Sequence, residues 1–203
     1  MSSADIPELL SMEDYLAKEE VARFKSEYIG GRIRAMTGAS IRHNCIKGNF
    51  FILLGNALKN KKCRPYDSDT KLRIEREGKR RFYYPDVQVV CESNDPLSVF
   101  QDRPVLIIEV LSPSTRAYDL HEKLEAYQLI PSLECYIVLE QHQPIAYFWR
   151  RSKEGWIKRT IQGIESMIDL PILNCVLSLR DIYERVDFTD TCVQEPDPEY
   201  STH

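Results

Sequence analysis

Two carboxylates occupy positions where a carboxylate is hard to keep. Asp86 follows Pro85 and directly precedes Val87-Gln-Val-Val90, and Glu109 sits inside Pro104-Val-Leu-Ile-Ile-Glu-Val-Leu111. A run that apolar reads as a strand buried on both faces, where an ionised acid is unfavourable unless a proton or a cation compensates it. The two runs are close enough along the chain to be neighbouring strands, and two acids brought together repel unless a divalent cation lies between them. The pair therefore reads first as a hard-metal site, with Mg2+ as the expected ion and Mn2+ as its substitute.

The elements that must position these acids follow from periodicity and punctuation. Leu9 to Tyr28 has helical spacing of apolar residues, with Gly30-Gly31 as its stop, and Arg32 to Met36 reads as a short strand. Ser40 is an N-cap for a second helix, whose Ile46, Phe50, Leu53, Leu54 and Leu58 recur at helical intervals to about residue 60. The runs 64–75 and 81–91 flank a Gly78 turn and predict a hairpin with Asp86 on its second strand and Asp69 on its first. After the Glu109 strand come the turn-rich Ser112-Pro-Ser-Thr115, a helix over 118–129 ended by Pro131, strands over 133–139, 145–150 and 156–160, and a final strand or short helix within 172–183. This order predicts an α/β protein with a mixed β-sheet flanked by helices: one domain over 1–188 and an acidic, disordered tail over 189–203.

Composition narrows the class. The chain has 203 residues, 43% hydrophobic and 29% charged, which is enough for a well-cored domain. No apolar run approaches a membrane span and the first residues lack a secretory pattern, so a cytoplasmic protein without membrane contact is expected. Cys45, Cys63, Cys91, Cys135, Cys175 and Cys192 are scattered, without a Cys-x-x-Cys pair, and are expected as reduced thiols. The net charge of −4 hides a basic middle, since Arg42 to Arg81 holds 12 Lys or Arg against 4 acids while Asp181 to His203 holds 7 acids and one Arg. Lys59, Lys61, Lys62 and Arg64 are thus candidates for a nucleic-acid contact, weighed against a solvated helix end.

The order Pro85-Asp86, Glu109 on the next apolar strand, then Asp119-x-x-x-Lys123 resembles the PD-(D/E)XK nuclease superfamily, and within it the Uma family of restriction-endonuclease-like bacterial proteins. Glu27-Tyr-Ile-Gly-Gly-Arg-Ile, Met36-Thr-Gly-Ala-Ser40 with His43, Tyr84-Pro-Asp-Val87, Ile108-Glu-Val-Leu-Ser-Pro-Ser-Thr115, Asp119-x-x-x-Lys123-x-x-x-Tyr127 and Glu134-Cys-Tyr136 carry the likeness over nearly the whole chain. The superfamily places a lysine two residues after the second acid, where this chain has Leu111. The resemblance therefore implies that Lys123 takes that role, beside the plainer reading of an i, i+4 salt bridge with Asp119.

The resemblance also implies a restriction-endonuclease-like core, the Val110 carbonyl as a further metal ligand, and Glu27 as an additional acid of the N-terminal region, against a solvated acid at a helix end. Asp69 either lines the same cleft or faces solvent. His43, at a helix start, either touches a phosphate or is structural. The implied activity is Mg2+-dependent endonucleolytic hydrolysis of phosphodiester bonds, with DNA as the partner and a homodimer to cut both strands. Two other readings remain: a nucleic-acid-binding protein of this fold with weak or no cleavage, and a hydrolase of another phosphate ester.

Overall fold

The computed structural model describes residues 9–36, 38–76 and 78–189. The predicted first helix divides in two. α1 (Met12–Glu20) is capped by Ser11, whose side chain accepts from the Asp14 N–H, and the chain then runs extended as β1 (Ser26–Ile29) into β2 (Arg32–Ala35). Gly30 and Gly31 have φ of 55° and 97°, so they form the two-residue hairpin turn between these strands rather than a helix stop. The helical spacing of 21–28 is overridden by pairing, because Tyr28 lies opposite Phe82 and the Glu19 carboxylate binds both the N–H and the hydroxyl of Ser26. Glu27 accordingly stands on a strand and not on a helix.

α2 (Ile41–Ala57) begins at Ser40, which accepts from the His43 N–H at 3.0 Å. Its Ile46, Phe50 and Leu54, with Leu58 just beyond, recur every fourth residue on one face and are buried. Each contributes about 1.5–3 kcal/mol by leaving water. The predicted strand over 64–75 is also divided, into β3 (Arg64–Asp67) and β4 (Lys71–Arg76), which belong to different sheets. Only β4 forms the expected hairpin, with β5 (Lys79–Tyr83) around Gly78. Asp86 is not on that second strand: it lies at a bend between β5 and β6 (Val87–Val90), where the chain crosses from one sheet to the other.

The remaining strands are β7 (Phe100–Gln101), β8 (Pro104–Val110), β9 (Cys135–Leu139), β10 (Ile145–Ser152), β11 (Gly155–Gln162), β12 (Met167–Leu170) and β13 (Cys175–Ser178). A π-helical turn, Tyr118–Lys123, leads into α3 (Leu124–Gln128), and α4 (Leu179–Ile182) follows β13, so the last predicted segment is a strand and a helix in succession. One sheet has the order β11-β10-β9-β8-β6-β3, with β8 and β9 parallel and every other pair antiparallel. A second has the order β2-β1-β5-β4-β7, and β12 pairs with β13.

The central strands of the six-stranded sheet, β6, β8 and β9, are buried on both faces. Leu106, Ile108 and Val110 join α2, α4 and the β12–β13 ribbon in one core, whereas Ile107 and Leu111 join α3 and the second sheet in another. Side chains alternate along a strand, so Glu109 falls on the α3 face by parity alone.

Cys63 and Cys91 correct the expectation of reduced thiols: they form a disulfide with Cα atoms 3.8 Å apart. The register that sets Arg64 opposite Val90 makes them the next facing pair, which their separation of 28 residues conceals in the sequence. Cys45, Cys135 and Cys175 are free, and Cys192 lies outside the described residues. The tail predicted over 189–203 does too, apart from Thr189. Among the described residues no helix is long and apolar enough to cross a membrane.

Candidate functional site

Glu109 is held from both ends. Its Oε2 accepts from the Asp86 N–H at 3.3 Å, and Asp86 Oδ2 in turn accepts from the Val110 N–H at 2.8 Å. These reciprocal bonds place the two carboxylates side by side where β5 gives way to β6 and β8 ends. Glu109 Oε1 accepts from Lys123 Nζ at 2.9 Å and from the Tyr127 hydroxyl at 2.8 Å. Both donors come from the helical segment after β8, the crossover that joins parallel β8 and β9 and must pack over the face where Glu109 points. The position of the superfamily's usual lysine, Leu111, is an apolar member of that same face.

Lys123 is the cation of a buried cluster. Its Nζ lies 2.9 Å from Glu109, 3.3 Å from Asp119 and 3.4 Å from Glu27, and the four side chains are almost wholly buried. The π-helical turn makes this possible, because i to i+5 bonding brings residues five apart onto one face, and Tyr118, Asp119 and Lys123 are all buried there. The predicted i, i+4 pair thus exists, but inside the protein and shared among three acids. The Tyr118 hydroxyl donates to Glu27 Oε2 at 3.0 Å, and the Tyr84 N–H donates to Glu27 Oε1 at 3.3 Å. Glu27 is therefore part of the cluster and not a solvated acid.

One ammonium does not balance these acids. Burial raises the Glu109 carboxyl well above its ordinary range; Lys123 pulls it down, and Asp119 and Asp86 push it up again. Asp119 is likewise raised, chiefly by burial. Burial alone would depress Lys123, but Glu109, Glu27 and Asp119 outweigh it and hold the ammonium well above the usual lysine value. Asp119 Oδ1, although 3.3 Å from Lys123 Nζ, accepts no well-directed hydrogen bond. An excess of hard oxygen donors with an orphaned carboxylate oxygen is a donor set suited to Mg2+, which takes one or two carboxylates and keeps several waters. Among the described residues no group of three or more His, Cys, Asp or Glu side chains is arranged to hold a metal ion, and Asp86 and Glu109 are the two acids that backbone hydrogen bonds interlock.

His43, from the first turn of α2, places Nε2 3.1 Å from Asp86 Oδ2 and has a buried Nδ1 without a partner. All of these acids line one cleft of about 480 Å3, with Val110 in its wall. Asp69 is elsewhere: it sits in the turn between β3 and β4, exposed, and pairs with Lys25. Lys61 donates to the carbonyls of Leu173 and Asn174, Lys62 pairs with Glu92, and Lys59 and Arg64 line a separate hollow beyond the C-terminal end of α2. Ser112 and Thr115 bond one another within their turn, in keeping with a loop role.

Sequence reasoning gave no role to Tyr84, although it opens the Tyr84-Pro-Asp-Val87 motif, and passed over Tyr118 and Arg34, whose guanidinium lies 3.5 Å from the centroid of the Tyr118 ring. Tyr127 belongs to the Asp119-x-x-x-Lys123-x-x-x-Tyr127 motif but had no role assigned, and its spacing of four from Lys123 was the available signal.

A family profile described as "Uma2: Putative restriction endonuclease" matches residues 12–180. The uncharacterized protein slr1290 of Synechocystis sp. (strain ATCC 27184 / PCC 6803 / Kazusa) is 33% identical over 188 residues, covering 92% of this chain and 97% of that protein. A second uncharacterized protein of that strain, sll1609, is 30% identical over 169 residues, covering 81% and 94%. The fold is similar to that of a crystal structure described as "a putative nuclease belonging to DUF820 from Anabaena variabilis ATCC 29413", with a TM-score of 0.69 at 16% identity over 86% of this chain and 97% of the other. With its restriction-endonuclease-like arrangement of mixed sheets and flanking helices, and with that profile spanning most of its length, the chain belongs to the Uma2 family.

Proposed function

We propose that this protein is a Mg2+-dependent endonuclease that hydrolyses phosphodiester bonds in DNA. The observation that carries this reading is the interlocked pair, Asp86 and Glu109, lining a cleft whose buried acids outnumber its one buried ammonium. Asp86, Glu109 and the Val110 carbonyl would hold the ion. When bound, it stabilises charge on the phosphoryl oxygens and lowers the pKa of the attacking water.

The chain's own residues do the rest. Lys123 and Tyr127 fix one oxygen of Glu109 and leave the other directed at Asp86. His43 and the Val110 N–H fix Asp86. From the cleft wall the Lys123 ammonium opposes the negative charge that grows on the phosphate.

Asp86→Asn tests the reading. Its partly exposed position at a bend favours a folded variant, and calorimetric Mg2+ binding and cleavage of both single-stranded and plasmid DNA are expected to vanish together. Unchanged Mg2+ affinity in the folded variant overturns the coordination. The second reading, a nucleic-acid-binding protein with weak cleavage, is favoured by the apolar, buried Leu111 at the superfamily's lysine position. It prevails if the parent protein binds DNA but shows no Mg2+- or Mn2+-dependent cleavage of single-stranded or duplex DNA.

A further inference from the structure

The acids of the cleft lie deep: Glu27 and Glu109 are each 3% exposed and Asp119 is 2% exposed. The cleft, at about 480 Å3, falls in the range of about 300–1,000 Å3 that takes a small molecule. It is of a size to take a phosphate with an adjoining nucleoside.

The lip of the cleft is unlike its floor. Arg23, Phe24 and Lys25 lead into β1, Arg34 stands on β2, and Lys47 projects from α2, and all five line the opening. Among the described residues no ion-pair partner lies beside Arg23 or Arg34, and Lys47 is close enough to Asp69 to help hold that carboxyl low. Lys47 donates to the Ser68 hydroxyl at 3.2 Å, and Lys25 is shared between the Ser68 carbonyl and Asp69. Arg34 is stacked on Tyr118, which orients the guanidinium plane while leaving its N–H edge able to bind an anion. Phe24 is 79% exposed, an apolar ring at the mouth of a polar cleft. A basic groove with an open aromatic face is the pattern that binds single strands, because cations follow the backbone and the ring stacks on a base. In a duplex the base faces are already stacked on one another, so Phe24 would reach one only at the cost of unstacking a step.

Resting on the reading of the cleft as a phosphodiesterase, we propose that Arg23, Phe24, Lys25, Arg34 and Lys47 form a track for an unpaired DNA strand. The cations bind successive phosphates, and Phe24 stacks on a base beside the bond to be cut. An unpaired substrate also removes the need for a second, symmetry-related site, since only one strand is cleaved.

Binding of labelled DNA to the parent protein in EDTA, followed by fluorescence anisotropy, tests this apart from chemistry. A single-stranded oligomer is expected to bind at least about tenfold tighter than a blunt duplex of the same length. Phe24→Ala should weaken single-strand binding by on the order of tenfold without changing its salt dependence, and Phe24→Trp should restore it. Arg23→Ala combined with Lys47→Ala should lower the slope of log affinity against log salt by about 0.7 for each phosphate that is no longer neutralised. Equal affinity for duplex and single strand, or parent-like binding by the Phe24→Ala protein with its melting curve intact, overturns the track. Single-strand preference without any Mg2+- or Mn2+-dependent cleavage upholds the track and rejects the phosphodiesterase. Cleavage of blunt duplex at the parent rate by Phe24→Ala does the reverse.

Discussion

At its N-terminal end α2 brings His43 to 3.1 Å from Asp86, whereas at its C-terminal end, about 21 Å away at 1.5 Å per residue, it runs out into Lys59, Lys61 and Lys62. The second end is far richer in charge along the sequence, yet its lysines serve solvent and structure. Lys62 is 70% exposed beside Glu92, and Lys61 satisfies two carbonyls of the turn before β13. Lys123 has no basic run around it and becomes the cation of the acid cluster, because the crossover after β8 buries it against Glu109, Glu27 and Asp119. Charge density in a sequence marks a surface; a single charge gains a role when burial leaves it no partner but another ion.

That contrast is broken most severely at Lys123. Lys123→Met keeps the length of the side chain but leaves buried carboxylates without their cation, and is expected to remove about 3–5 kcal/mol of stability in EDTA. Urea unfolding of the two proteins checks it, and a loss under about 1 kcal/mol, the value of an exposed pair, would place Lys123 with Lys62.

A pH series is next in size. Glu109 has a native carboxyl raised above its ordinary 4.5, so between that value and its native one the folded protein binds more protons than the unfolded chain. The stabilisation this gives is complete below about pH 4.5 and is lost as pH rises through the native value, at up to about 1.4 kcal/mol per pH unit. Without divalent ions stability should therefore fall from pH 4.5 toward neutrality. Glu109→Gln should reduce that slope to the part that the raised Asp119 carboxyl contributes, and Mg2+ should flatten it. The carboxyls held low, Asp69, Glu140 and Asp187, act below this window and do not mask it. A stability that climbs steadily from pH 4.5 to 7 would show that the cluster is not strained by its own charge.

The smallest effects belong to the other end of α2. Lys62→Ala should change stability by about 0–1 kcal/mol, and Lys61→Ala by about 0.5–1.5 kcal/mol through its lost carbonyl bonds. The double variant should keep the parent's salt dependence for DNA. A flattened slope would move the nucleic-acid track to this end of the helix and away from the lip of the acid cleft.

Much of the fold was legible because it rests on local periodicity. The apolar run of β8, the fourfold repeat of Ile46, Phe50, Leu54 and Leu58, and the Ser40 cap each report their element directly. The errors fall where pairing partners decide. Residues 26–29 have helical spacing and became β1 because β5 lies beside them, and 64–75 read as one strand but is divided between two sheets. The Cys63–Cys91 bond was hidden for the same reason, since only the β3–β6 register brings the two sulfurs together.

The sequence alone determined that Glu109 needs compensation, because a carboxylate within so apolar a run has no water to solvate it, and it marked Asp86 as the acid at the edge of the neighbouring run. It also marked Asp119, Lys123 and Tyr127 at intervals of four, which suffices to put them on one side of a helix. Tertiary structure alone decided that this side faces Glu109, that Glu27 and Tyr118 complete the cluster from another strand and a widened turn, and that Asp69 and the basic segment stay outside it. Spacing along a chain sets which residues share a face. What that face meets depends on strand order and crossover, which residue spacing does not encode.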